Sequence, residues 1–201
     1  MDIEAYCKTL FEEYKLDGGA APWEMTENLE STIYGLLDAL PDNYDISGGI
    51  AIHTSAIVDP STLIKPPAII GPDCFVGPHG VLRGGVILAK ATTIGAGCEV
   101  KQSIICRGSA LAHFNYVGNS IVGQDVNLEA GAIIANHYNE HKNKTIQLLI
   151  DGKIVDTGKD KFGAVVGDGS KIGANAVLSP GTILPPKTIV RRLELIEQIA
   201  Q

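Results

Sequence analysis

The stretch "IHTSAIVDPSTLIKPPAIIGPDCFVGPHGVLRGGVILAKATTIGAGCEV", residues 52–100, decides the fold. Counting by six from Ile52 meets Val58, Ile64, Ile70, Val76, Leu82, Leu88, Ile94 and Val100, then Cys106 and Ala112; nine of these eleven positions are Val, Ile or Leu. Four places after each in-phase residue stands a mostly small or medium one: Ala56, Thr62, Ala68, Cys74, Gly80, Val86, Thr92 and Cys98. Neither the 3.6 period of a helix nor the alternation of a hairpin strand produces a period of six. A triangular coil does. Each side is a short strand with its aliphatic pointing inward, each corner is a turn, and three sides close one coil of eighteen residues. Coils then stack as parallel strands about 4.8 Å apart, and each buries its core only against the next.

Outward from this stretch the rhythm changes. From Ala112 the next aliphatic, Val117, comes after five residues and Val122 after five more, so the phase breaks around His113. It returns at Val122, Leu128 and Ile134, and again at Val166, Ile172, Leu178, Leu184 and Val190. Between these two runs, residues 137–164 leave the repeat. Within them "IQLLIDGKIVDTG" places apolar residues on both sides of Asp151-Gly152, a two-residue hairpin signal. An insert thrown out from one corner is where solenoids place function.

Residues 1–48 do not keep the period either. Ile3, Tyr6, Cys7, Leu10, Phe11 and Tyr14 follow helical spacing up to Gly18-Gly19, and Leu29, Ile33, Leu36, Leu37 and Leu40 mark a second amphipathic helix closed by Pro41. These helices are expected to cap the blunt end of the solenoid or to contact a neighbouring subunit. Residues 191–201, "RRLELIEQIAQ", read as a short capping helix. The expected organisation is therefore a helical segment 1–48, a β-helix 49–190 with an insert at 137–164, and a helical tail 191–201.

Composition agrees. Aromatics are 5% and glycine numbers 23 in 201 residues, which suits a thin core of Val, Ile, Leu and Ala. A net charge of -7 argues against nucleic-acid affinity. No apolar run is long enough for a membrane span and no leader pattern opens the chain, so a soluble cytoplasmic protein is expected. Cys7, Cys74, Cys98 and Cys106 form no CxxC pair and read as small core residues.

Arg83 and Lys101 are eighteen residues apart, one coil, and stack on the same edge. Two stacked cations on an acidic chain are either solvated or share an anion, and the arginine fork suits phosphate. His113 taken alone is either a surface residue or a base. His53 and His79 read as surface residues, and His137 with His141 lacks a third ligand at metal-binding spacing.

Around the break the segment "HFNYVGNSIVGQDVNLEAGAIIANHYNEHKNKT", residues 113–145, carries H-x-x-Y-x-G, then N-x-x-A-G, then A-N, then K-x-K-T. It resembles the acetyltransferase domain of the bifunctional N-acetylglucosamine-1-phosphate uridylyltransferase/glucosamine-1-phosphate acetyltransferase family and its archaeal sugar-phosphate nucleotidyltransferase relatives, without a gap from Arg83 to Lys144. The resemblance implies a left-handed β-helix built of hexapeptide repeats and a homotrimer with acyl-CoA bound between prisms. It implies that Arg83 and Lys101 hold a sugar phosphate, helped by Tyr116 and Lys142, with Asn127 and Asn136 positioning the sugar and amine. His113 would be the general base, the Ala130 N–H the oxyanion donor, and Ala174 a contact of acetyl-CoA. No metal is required, since the thiolate is a good leaving group and a histidine can take the amine proton. Where the family has glycine this chain has Glu129, and the two helices stand in place of the nucleotidyltransferase domain, with a separate nucleotidyltransferase as one candidate partner. The expected activity is N-acetylation of an amino-sugar 1-phosphate; the alternatives are acylation of a nucleotide sugar from a longer acyl donor, and a non-catalytic trimeric scaffold.

Overall fold

In a computed structural model, which describes residues 1–14, 16 and 18–199, the chain is the expected left-handed parallel β-helix with few helices. Three flat faces run its length. The first collects Ile50–His53, Ala68–Ile70, the later halves of Val81–Leu88 and Glu99–Ile105, then Ile121–Val122, Ala164–Val166 and Thr182–Leu184. The second is a 7-stranded parallel sheet from Ile57–Val58 to Ile189–Val190. The third takes Leu63–Ile64, the earlier halves of the two long strands, Tyr116–Gly118, Ile133–Ile134, Val177–Leu178 and Leu195–Ile196. The inward aliphatics from Ile70 to Val190 form one buried cluster, with Cys74 and Cys98 inside it.

The repeat loses its residues earlier than the spacing suggests. Ile105 and Leu111 point inward, not Cys106 and Ala112. The short steps are therefore Val100 to Ile105 and Val117 to Val122, both at the corner between the third and first faces. One coil above, Gly84 and Gly85 fill that corner with left-handed backbone at φ 70° and 87°; below it, Gln102 and Asn119 turn with φ near 49° and 47° and one residue fewer. The ladder shifts register between Arg83 and Val86 in consequence.

The outward side of the first face is also apolar: Ile69, Ile87, Ile104, Ile121, Val165 and Ile183 stack along it, all at most 4% exposed. The N-terminal segment covers this ladder. Helices α1 (Pro22–Glu27) and α2 (Leu29–Leu37) lie against it, and Ile3, Cys7, Leu10, Tyr14, Met25, Leu29 and Ile33 are buried with it. Tyr138, Ile146, Leu148 and Phe162 of the insert complete the cover. The expectation that the helices cap the blunt end is thus corrected: a long aliphatic ladder offers far more apolar area than one terminal coil, and burial scales with area. At the N-terminal end the edge is met instead by Tyr44–Ser47, antiparallel to Ile50–His53.

Two further expectations change. Ile3–Tyr14 is not a continuous helix but a 3-10 turn at Ile3–Ala5 followed by turns, although Ile3, Cys7, Leu10 and Tyr14 are buried as the spacing requires. The tail at 191–201 is not helical where described: Arg192-Leu193 turns, and Leu195–Ile196 adds a parallel strand beside Val177–Leu178. An unpaired ladder edge outweighs weak helical spacing; Ala200 and Gln201 lie outside the described residues. The insert's hairpin forms as its turn signal requires, Gln147–Ile150 against Lys153–Asp156, with Asp151 and Gly152 at φ 50° and 74°.

Candidate functional site

The corner between the third and first faces holds the two stacked cations singled out in the sequence. Arg83 and Lys101 are register partners one coil apart, and Gly118 follows Lys101 in the next coil. Arg83 Nε donates to Glu99 Oε1 at 2.7 Å, and its Nη2 stands 2.5 Å from the same oxygen. Tyr116 stands outward on the third face beside Glu99, and its hydroxyl and the Asn136 carboxamide converge on Gly118. Asn136 is buried and donates from Nδ2 to Asn119 Oδ1 at 2.5 Å. Burial pushes the Tyr116 phenol up from its ordinary value, with Glu99 adding to the shift.

The approach is tight because of Gly118. A Cβ there would stand 2.7 Å from the Tyr116 hydroxyl and 2.8 Å from the Asn136 carboxamide. The insert leaves and rejoins the solenoid at this corner: Phe162 N–H donates to Asn136 O at 3.1 Å, and Gly163 N–H to Asn119 O at 2.9 Å. That return sets Lys161 in a polar cleft with Gln102 and Asn119. Burial lowers the Lys101 ammonium from its ordinary value, and the neighbouring charges of Lys161 and Arg83 lower it further.

A second column runs along the corner between the second and third faces. Gly131 N–H donates to His113 O at 2.8 Å, Asn175 N–H to Ala130 O at 3.0 Å and Leu193 N–H to Ala174 O at 3.0 Å, so His113, Ala130 and Ala174 occupy consecutive coils. His113 is exposed, with the exposed Phe114 ring 6.5 Å away. The Ala130 N–H makes no hydrogen bond among the described residues. The Ala174 N–H does: it donates to Glu129 Oε2 at 2.9 Å, and the same carboxylate takes two 2.8 Å bonds from Arg192. Arg192 holds the Glu129 carboxyl below its ordinary value. Asn127 lies beyond this corner, outward on the second face between Ala110 and Lys171.

The structure therefore brings Arg83, Lys101, Tyr116 and Asn136 together, and stacks His113, Ala130 and Ala174 along the opposite edge of the third face. Lys142 stands exposed on the insert and is bonded to neither group among the described residues. Three members of the first group were missed in the sequence. Glu99 could have been found, because it stands outward on the strand of Lys101 and one coil below Val81. Asn119 is carried by the lost residue at the corner. Lys161 had no signal, since the insert keeps no period. Among the described residues no group of three or more His, Cys, Asp and Glu is placed to hold a metal, and no helix is long and apolar enough to cross a membrane.

The family model for the GMPPB C-terminal domain matches residues 46–155 and 81–199. A bifunctional sugar-1-phosphate nucleotidylyltransferase/acetyltransferase of Sulfurisphaera tokodaii is 37% identical over 177 residues, which is 85% of this chain and 43% of that protein. The bifunctional protein GlmU of Methanococcus maripaludis is 34% identical over 181 residues, 88% of this chain and 43% of that one. The chain thus spans less than half the length of these relatives. Among solved structures, a hexapeptide transferase family protein from Anaplasma phagocytophilum matches 77% of this chain and 82% of its own at 15% identity and a TM-score of 0.36.

Proposed function

The chain belongs to the GMPPB C-terminal domain family, within the hexapeptide-repeat acyltransferases, and on that premise we propose that it is an acetyl-CoA-dependent N-acetyltransferase acting on an amino sugar that carries phosphate at its anomeric carbon. One observation carries the reading: a cation pair stands at one edge of the third face, and a histidine one coil from a backbone N–H that makes no hydrogen bond among the described residues stands at the other. In this reading Arg83 and Lys101 bind the phosphate, Tyr116 and Asn136 hold the sugar, and the amine faces His113.

A protonated amine is no nucleophile, so His113 first takes its proton. The nitrogen then attacks the thioester carbonyl and forms the C–N bond. The Ala130 N–H donates to the oxyanion, which needs a fixed donor rather than a mobile one. The nitrogen then loses its second proton to solvent, collapse breaks the C–S bond, and the proton held by His113 goes to the departing thiolate. Acyl-CoA would lie on the second face, where Asn127, Glu129, Lys171, Arg191 and Arg192 border a cavity of about 750 Å³; Lys171, with no ion pair among the described residues, would meet a phosphate of that co-substrate.

The same reading includes a homotrimer. With the first face sealed by the chain itself, the second and third faces remain for contact, and they carry exposed Ile57, Leu63, Phe75, Ile189 and Leu195. Packed prisms would bring a neighbour's surface against the His113 edge.

The test is thiol release from acetyl-CoA on addition of glucosamine 1-phosphate, with mass measurement in solution. Turnover by a trimer is expected, and His113→Ala should cut kcat by roughly 100-fold or more with its folding unchanged, since His113 is exposed. A His113→Ala protein with full activity would remove the base assignment.

A further inference from the structure

We propose that the Arg192 guanidinium and the Ala174 N–H form an anion site at the border of the second-face cavity, that the Glu129 carboxylate occupies this site, and that a phosphate of the acyl donor takes its place on binding. Glu129 thereby sets the affinity for that donor. The proposal rests on the acetyltransferase reading for the identity of the donor alone.

The Glu129 carboxylate is held as a phosphate would be. Its Oε2 accepts the Ala174 N–H at 2.9 Å and Arg192 Nε at 2.8 Å, and its Oε1 accepts Arg192 Nη2 at 2.8 Å. A guanidinium fork on two oxygens is a geometry that carboxylate and phosphate share. The three residues come from consecutive coils: Glu129 N–H donates to Ile172 O at 2.8 Å, Gly173 N–H to Val190 O at 2.9 Å and Leu193 N–H to Ala174 O at 3.0 Å. The ladder therefore fixes the Ala174 N–H and the backbone of Arg192, and neither depends on Glu129 for its position.

The surroundings favour the exchange. The cavity of about 750 Å³ is bordered by Lys171, Arg191 and Arg192, and Glu129 is the one anion in its lining. While Glu129 holds Arg192, an anion stands where an anionic ligand must lie, and the cavity loses its freest guanidinium fork. The hold is weak, since 39% of the Glu129 side chain and 72% of the Arg192 side chain face solvent and exposed pairs contribute little. A phosphate monoester carries nearly two charges against one for the carboxylate. It can also meet Lys171, which Glu129 does not bond among the described residues.

Calorimetric titration tests this without turnover. CoA and inorganic pyrophosphate are each titrated into the full chain, Glu129→Gln, Arg192→Ala and the double variant. Glutamine keeps the shape and an acceptor for the Ala174 N–H but holds the guanidinium without a charge. Glu129→Gln should bind CoA and pyrophosphate about fivefold tighter than wild type, and the gain should vanish in the Arg192→Ala background. In steady-state kinetics KM for acetyl-CoA should fall by a similar factor in Glu129→Gln, with KM for the acceptor within about twofold. Unchanged or weaker binding in Glu129→Gln would overturn the proposal. So would a gain that survives the loss of Arg192, because Glu129 would then act only as a repelling charge. A pyrophosphate gain with CoA bound by none of the four proteins would uphold the exchange and remove acetyl-CoA as its source. CoA bound by all four without a gain would uphold the acetyl-CoA reading and remove the exchange, and binding of neither probe would remove both.

Discussion

Glu129 and Arg192 are joined by two parallel hydrogen bonds of 2.8 Å, and the same carboxylate accepts the Ala174 N–H at 2.9 Å. An anion that could have faced the His113 edge is thereby turned along the column and tied to the last coils. The pair also sets a pH dependence. The folded-state value of Glu129 lies below its ordinary 4.5, so its stabilising contribution is present above that value and is lost as pH falls through the depressed one. Wild type should therefore melt above Glu129→Gln at pH 6, and the difference should shrink as the pH is taken below 4.5 and through the depressed value. Thermal melts at a series of pH values check this, and a gap that persisted in acid would contradict it.

Gly118→Ala should fold and act poorly. Its Cβ would intrude on the Tyr116 hydroxyl and the Asn136 carboxamide, which are side-chain ends and can yield. Overpacking of this kind costs about 1–3 kcal/mol. Urea unfolding should report that loss, and steady-state kinetics should show a raised KM for the phosphorylated acceptor with KM for acetyl-CoA nearly unchanged.

Glu99→Gln should weaken acceptor binding without touching the phosphate directly. Glu99 holds the Arg83 guanidinium from one side, and without that anchor the fork loses its fixed orientation. About a tenfold fall in kcat/KM for the acceptor is expected, and Arg83→Lys should do the same because a point charge cannot replace the fork. A glutamine variant with unchanged kinetics would show that Glu99 is not a positioning residue.

Ile33→Ala should destabilise by about 2–5 kcal/mol, since Ile33 is fully buried in the layer between α2 and the first face. Denaturant unfolding measures the loss. The variant should also bind more of an apolar dye, because a loosened α2 uncovers Ile69 and Ile87.

The solenoid was legible because its period is imposed by local geometry repeated many times. Each inward aliphatic from Ile70 to Val100 reports the same strand, so single exceptions cannot hide the pattern. The cover on the first face was legible too, in the doublets Ile69-Ile70, Ile87-Leu88, Ile104-Ile105 and Ile121-Val122. A strand with apolar residues on both sides is buried on both sides. The six-residue spacing reports the inward members alone, and by itself it leaves only the blunt end to be covered. Cys106 and Ala112 are apolar enough to extend the phase by accident, so the spacing places the break at His113 although Ile105 and Leu111 are the inward residues.

By itself, then, the sequence determined the coil, the stacking of Arg83 over Lys101, and the seating of His113 near a corner, because each follows from counting residues along a regular path. Tertiary structure alone decided that the lost residues fall at the corner of Gln102 and Asn119, that Glu129 is locked to Arg192, and that Lys161 returns to the cleft beside that corner. Those facts depend on how an aperiodic insert and an aperiodic N-terminal segment close against the solenoid. Chain closure is a matter of three-dimensional packing, and no spacing along the sequence encodes it.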